Sequence, residues 1–478
     1  MIAIMILIFL AGYLLIALEH TTKINKAGIA LFIGTLLWII YLYLAPEAVP
    51  NVSPEQFQHF LDSHSELKKL SYAEQIRDFV IDHQILESLG EISETIFFLL
   101  AAMSIVEMID SHGGFLYITT RITTRKKRKL LWLIAFITFF MSALLDNLTT
   151  SIVMIMLTRK IISERSDRWL FGSMIVIAAN SGGAWSPIGD ITTIMLWVKG
   201  NISVAIAPTL ILPSIASVIV PVFIVQFFLK GSFATDETQD TPEVPSAVKH
   251  LTDRDRLEIL VFGLMILVLT PVFKSITHLP PFVWLLFGMS MLWIFTELMY
   301  KNKNHIKEEK KHRMSKIFGH LDFSTLIFFL GILLAVDALQ QAGILKELSG
   351  FLAHAMPNVY AQGLSIGVLS AIVDNVPLVA AAIGMYPIVD PAALSTFADP
   401  EFMQNFFVDG IFWHFLAYCA GVGGSILIIG SAAGVILMGL EGVSFVWYLK
   451  RISIVALLGY LAGAGVYILQ NTLITAMS

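Results

Sequence analysis

Long apolar runs separated by short charged stretches organise this chain from end to end. Runs of roughly 17 to 25 residues, the length a helix needs to cross a ~30 Å hydrocarbon core, lie near residues 2–19, 27–44, 93–109, 171–198, 204–229, 257–273, 281–299, 323–338, 411–437 and 450–470. They predict ten crossings. Two further apolar stretches, 130–158 and 359–389, are each split by an Asp-Asn pair, Asp146-Asn147 and Asp374-Asn375. Each reads as a re-entrant hairpin that enters the membrane and turns back. The predicted class is an all-α polytopic membrane protein.

Charge gives an independent test, because cytoplasmic loops collect Lys and Arg. Arg121, Arg125, Lys126, Lys127, Arg128 and Lys129 precede the first hairpin, and Arg159, Lys160, Arg165 and Arg168 follow it. Both flanks are therefore expected inside, and apolar arms of about 16 and 11 residues are short for crossings. The second hairpin has only Lys346 ahead of it and Asp390, Asp399, Glu401 and Asp409 behind, so its flanks are expected outside. With the hairpins counted as zero crossings, loops 20–26, 110–129, 159–170, 230–256, 300–322 and 438–451 fall inside and hold 25 of the 31 Lys and Arg. Both termini then fall outside. Met1 to Leu18 lacks a basic leader and a small-residue cleavage site, and so reads as a retained span. Residues 1–92 form an N-terminal part whose external loop 45–92 contains a polar helical stretch. The segment 230–256 reads as a cytoplasmic linker between two halves.

Composition agrees with the pattern. The chain is 56% hydrophobic and 14% charged, with a mean hydropathy of +0.77, against about 25% charged residues in soluble domains. A net charge of −5 argues against nucleic acid as a partner. The single cysteine, Cys419, offers neither a disulfide framework nor a cysteine metal site.

The chain repeats itself. Ser142-Ala143-Leu144-Leu145-Asp146-Asn147 matches Ser370-Ala371-Ile372-Val373-Asp374-Asn375, displaced by 228. Upstream, Ile96 to Leu99 with Glu107 and Gly113 matches Ile327 to Leu330 with Asp337 and Gly343. Downstream, Asn180-Ser181-Gly182-Gly183 through Gly189-Asp190 matches Gly421-Val422-Gly423-Gly424 through Gly430-Ser431, displaced by 241. The spans carrying Glu107 and Asp337 are the third and the eighth, five steps apart, an odd number, so they run in opposite directions. The repeats, 93–229 and 323–478 with scaffold helices at 257–322 between them, are therefore inverted. That architecture puts a site at the midplane, where broken helices and hairpin tips meet.

A carboxylate at membrane depth costs roughly 2.5 to 3.5 kcal/mol or more, so it calls for a partner or a function. Asp146 and Asp374 are the first suspects. Beside Asp146, residues Asn147, Thr149, Thr150 and Ser151 add neutral oxygens, a set that suits a hard cation such as Na⁺ at Asp146 and Asn147. The bland alternative is that Asp-Asn caps the second hairpin arm. Both roles fit together if Asp146 faces the ion and Asn147 caps. Asn180, Ser181, Gly182 and Gly183, followed by Pro187, Gly189 and Asp190, predict unwinding inside one apolar segment, with Asp190, Thr192 and Thr193 as side-chain ligands. Gly421, Gly423, Gly424, Ser425, Gly430 and Ser431 repeat this, with Asn375 at the second tip but no carboxylate at the Asp190 position. The first half is expected to be the better cation site. Close helix packing is the competing reading of the glycines. Glu107 and Asp337 are proton-relay candidates or snorkelling carboxylates, Glu94 and Asp110 read as solvated, and His112 and His414 as interfacial.

With SALLDNLTTSIVM at 142–154, NSGGAWSPIGDITTIM at 180–195 and SAIVDNVPLVAAAIGMYP at 370–387, the chain resembles the NhaD-type sodium/proton antiporters of the ion transporter superfamily. The likeness covers most of 93–470. It implies exchange of cytoplasmic Na⁺ or Li⁺ for external H⁺, a scaffold domain beside a transport domain, a homodimer and a bacterial plasma membrane, with no enzymatic activity and no cofactor. Dicarboxylate relatives in the superfamily carry a neutral Ser-Asn-Thr type tip where this chain has Asp. The competing readings are a Na⁺- or H⁺-coupled anion or dicarboxylate permease of the same architecture, and an intramembrane enzyme using Asp146 and Asp374 as an acid/base dyad.

Overall fold

The apolar runs fold as helices because in lipid every backbone N–H and C=O must be satisfied within its own segment. The computed structural model describes residues 1–17, 19–115, 124–233, 251–301, 311, 313–372, 375–397 and 399–477. The principal helices in chain order are α1 (Ile2–Ala17), α2 (Lys26–Val52), α3 (Pro54–Ser63), α4 (Tyr72–Phe79), α5 (Ile85–Ser111), α6 (Lys127–Leu145), α7 (Asn147–Ile161), α8 (Arg165–Ala184), α9 (Ile191–Val198), α10 (Ile206–Val225), α11 (Asp253–Thr277), α12 (Pro281–Lys301), α13 (Met314–His320), α14 (Phe323–Gln341), α15 (Ile344–Ala355), α16 (Val359–Ser370), α17 (Asn375–Met385), α18 (Ile411–Gly423), α19 (Ala432–Glu441), α20 (Phe445–Arg451) and α21 (Ser453–Met477). Among the described residues, eight helices are long and apolar enough to cross a membrane, and up to ten if each of two bent pairs makes one span. The protein is an all-α polytopic membrane protein. Large apolar side chains such as Leu7, Phe32, Tyr43, Phe223, Ile294 and Ile454 stand exposed on these helices. Such a surface suits lipid rather than water.

The chain forms two compact units, each built from separated pieces of sequence. The first comprises residues 1–97, 322–362 and 376–406. Its densest packing joins α2 to α14, where Gly34 and Gly331 let the backbones touch: a Cβ on Gly34 would lie 2.4 Å from the Gly331 carbonyl oxygen. The second comprises residues 98–321, 363–375 and 407–478, with α8 packed against α6, α7, α18 and α19.

Several boundaries differ from those expected. The helix at 27–44 runs on to Val52 through Pro46 and Pro50. Most of the stretch expected as an external loop, 45–92, is helical: a Ser71/Glu74 capping box starts α4, and a π-helical turn at Val80–Gln84 joins it to α5. The arms of the first hairpin are 19 and 15 residues, longer than their apolar runs because Lys127–Lys129 and Thr158–Ile161 are helical too. Length alone therefore does not stop α6 from crossing, and only its two basic flanks speak for re-entry. The amphipathic α15 and the short α13 were not expected. Residues 234–250 of the linker and Asp374 of the second tip lie outside the described residues. The start of the linker is pinned, with Phe233 N donating to Arg125 O and Lys127 N to Gly231 O.

Candidate functional site

Local sequence determines how the first tip is built. Helix α6 ends at Leu145, and Asp146 turns the chain with φ 130° and ψ 163°, a region that favours glycine and costs about 1 to 3 kcal/mol. The same Asp146 caps α7. Its Oδ1 accepts from Thr149 N at 2.7 Å and its Oδ2 from the Thr149 hydroxyl at 3.0 Å. This reverses the expected division of labour, since Asp146 caps while buried Asn147 reaches across, its Nδ2 donating to Asn180 Oδ1 at 3.1 Å. The reason is positional: the residue before the first helical turn presents its side chain to the free N–H groups. Thr150 is fully buried and its Oγ1 has no hydrogen-bond partner.

Helix α8 does not unwind at Asn180–Gly183 but continues to Ala184, and the break occupies residues 185–190. In the second repeat Gly421 and Gly423 are likewise helical, with the break at 424–431. The glycines act by close packing here. A Cβ on Gly182 would lie 2.2 Å from Phe139 O, and one on Gly423 2.2 Å from Gly367 O, so each crossing helix touches its hairpin arm backbone to backbone. Gly183 and Gly424 face the carbonyls of Gly189 and Gly430 in the same paired way.

The breaks and tips converge on one buried junction in the second unit. Asp190 caps α9, with Oδ1 accepting from Ile191 N at 2.8 Å. Its Oδ2 accepts from the Thr192 hydroxyl at 2.7 Å and from Asn375 Nδ2 at 3.1 Å. Thr193 completes the capping box. Asn180 Nδ2 donates to Ser425 Oγ at 2.9 Å and Ser431 Oγ at 2.8 Å, linking the first crossing helix to the second break. Asn180 is 0% and Asp190 2% exposed. The junction thus holds two hydrogen-bonded sets, Asn147, Asn180, Ser425 and Ser431 in one and Asp190, Thr192 and Asn375 in the other. Ser181 is engaged elsewhere, accepting from the Ser217 hydroxyl at 2.8 Å.

Glu107 is held apart from the junction, accepting from the Ser111 hydroxyl at 2.7 Å with His320 Nδ1 at 3.3 Å. Asp337 lies half-buried on α14 in the first unit. His112 sits at the end of α5 against Tyr300, and His414 Nε2 lies 3.1 Å from Asp409 Oδ1. Two contributors escaped sequence reasoning. Ser142 and Ser370 donate to the carbonyls of Ala179 and Ala420 at 2.6 and 2.7 Å, fastening each hairpin to its crossing helix. The signal was present, since both serines open the repeated block. Buried carboxylate, amide and hydroxyl oxygens are the ligand types that a hard, small cation prefers.

Similarity to known proteins points the same way. A family model described as citrate transporter matches residues 13–403. Sodium/proton antiporter 1 of Arabidopsis thaliana is 40% identical over 472 residues, covering 98% of this chain and 72% of that protein. Sodium/proton antiporter 2 of the same plant is 39% identical over 468 residues, with 97% and 98% covered. The Na(+)/H(+) antiporter NhaD of Vibrio parahaemolyticus is 31% identical over 406 residues, with 80% and 90% covered. With a family model spanning most of its length, near-full-length relatives of one kind and a polar junction at two paired helix breaks, the chain belongs to the NhaD-type sodium/proton antiporter family, within the wider family matched by the citrate transporter model.

Proposed function

We propose that the protein exports Na⁺ or Li⁺ in exchange for H⁺ by alternating access, with the cation held at the junction of the two breaks. The observation that carries this is Asp190, a carboxylate buried among amide and hydroxyl groups where both repeats meet. Asp146, strained and beside the unpartnered Thr150 hydroxyl, is the second carboxylate of the site, and Asp374 its repeat mate. Each buried carboxylate of the site is neutralised by either a proton or a Na⁺, so the two cargoes exclude each other there. If the site turns over only when neutralised, downhill proton entry drives Na⁺ out. Glu107 and Asp337 stand as proposed relay groups. The repeat boundaries at 93–229 and 323–478 are supported by the paired serine and glycine contacts. A homodimer in a bacterial plasma membrane completes the proposal. Fractionation and cross-linking test that part, with a plant membrane as the outcome favoured by the Arabidopsis relatives.

The citrate transporter match supports a second reading, an anion permease. The junction's carboxylates disfavour it, because a substrate carboxylate would meet like charge. Everted vesicles with an acidic interior and a pH-sensitive dye separate the two. Dequenching on addition of NaCl or LiCl, lost in Asp146→Asn, is the expected result. No cation response between about pH 6.5 and 9.5, together with citrate uptake, would replace antiport by anion transport.

A further inference from the structure

Away from the junction, the ends of three helices are gathered by one buried carboxylate. Glu441 closes α19, and its side chain is 2% exposed. Its Oε1 lies 2.7 Å from Arg159 Nε near the end of α7, and its Oε2 2.8 Å from Arg168 Nε in the first turn of α8. Backbone acceptors reinforce the tie. Arg159 Nη2 donates to Leu440 O at 2.7 Å, and Trp169 Nε1 to Glu441 O at 3.0 Å. By the charge pattern this is the cytoplasmic end.

The same three helices carry junction residues at their other ends. Asn147 opens α7, Asn180 lies twelve positions beyond Arg168 on α8, and Ser431 caps α19. At 1.5 Å per residue these positions are ~15 to 18 Å from the tie. Each pair among the three helices is in packed contact. A helix pinned at one end and hydrogen-bonded at the other transmits its register along its length, because packed interiors deform little.

We propose that Glu441, bridging Arg159 and Arg168, is a positioning residue for the cation site: it fixes the axial register of α19 against α8, and through it the Ser431 hydroxyl against Asn180. The inference rests on the cation-site reading above. The repeat supports it, since Asp409, which stands 241 positions after Arg168, makes the corresponding tie at the other end of the unit. Asp409 Oδ1 accepts from Ser203 N at 2.7 Å, and Asp409 N donates to Asn201 O at 3.0 Å, which joins the start of α18 to the chain just beyond α9.

The test is a double-mutant cycle between Glu441→Gln and Ser431→Ala in vesicles, reading the Na⁺ KM and the maximal exchange rate at matched amounts of monodisperse protein. Glu441→Gln is expected to raise the Na⁺ KM about tenfold, with the maximal rate within about twofold. In the Ser431→Ala background the same substitution is expected to change KM by less than about twofold. An unchanged KM in the folded single variant, or an equal rise in both backgrounds, overturns the proposal. If Glu441→Gln does not assemble, Arg159→Gln replaces it in the cycle, because this side chain is 43% exposed. The expected KM rise is then about threefold, and an unchanged value overturns the proposal. Absence of Na⁺ exchange by the wild type would instead overturn the cation-site reading. A wild type that exchanges Na⁺, with Ser431→Ala impaired and the tie variants normal, defeats the positioning role alone.

Discussion

The two helix breaks share one skeleton and differ in chemistry. In both, a serine of the hairpin donates to a carbonyl of the crossing helix, Ser142 to Ala179 and Ser370 to Ala420. In both, a glycine lets that helix meet the hairpin arm, Gly182 at Phe139 and Gly423 at Gly367. The first break adds Asn180 and Asp190. At the matching positions the second has Gly421 and Ser431. The packing contacts are kept because the hairpin must lie against its crossing helix in either orientation, whereas of the matched positions Asp190 and Ser431 the first alone carries a carboxylate.

The shared skeleton can be broken symmetrically. Gly182→Ala and Gly423→Ala each put a methyl group into a backbone carbonyl, and overpacking of this kind costs about 1 to 3 kcal/mol. Both variants should lose several degrees of thermal stability in detergent, by similar amounts, or fail to stay monodisperse. Gly465→Ala in α21, where a Cβ meets nothing within 4 Å, is the control. A loss confined to one half would show that the repeats do not carry equal packing roles.

A smaller effect probes the tie at Asp409. Burial alone would push the Asp409 carboxyl up, but hydrogen bonds from His414 and Ser203 outweigh it and hold the group below the usual aspartate range. A carboxyl whose folded pKa is lowered contributes stability above its unfolded pKa, near 4, and loses it as pH falls through the folded value. Lowering the pH from 6 to 3 should therefore cost wild type more thermal stability than it costs Asp409→Asn, by no more than about 2 °C because the group is partly solvated. Equal acid losses in the two proteins would remove Asp409 from the tie.

Much of this was legible in the sequence because lipid permits so few solutions. Apolar runs become helices, and the Asp146-Asn147 pair inside one of them becomes a tip. The repeat placed both breaks within a few residues. What was not legible follows from geometry finer than one turn. Whether Asp146 or Asn147 caps depends on which residue precedes the first helical N–H groups, and that was settled only by the end of α6 at Leu145. Asn180–Gly183 looks like a helix breaker by composition, yet packing against Phe139 keeps it helical and moves the break to 185–190. The junction joins residues up to 251 positions apart, such as Asn180 and Ser431, a pairing no local pattern encodes. Nothing in the local pattern around Glu441 points to Arg159 or Arg168, and only the fold brings them to it.

The claim that the cation rests at the first break is tested most directly by equilibrium Na⁺ binding to the purified protein and to Asp190→Ser, the substitution that gives the first break the side chain of the second. Saturable binding by the wild type that weakens as protons are added, and is lost in Asp190→Ser, is the predicted result. Wild-type Na⁺ affinity in a folded Asp190→Ser protein would contradict it.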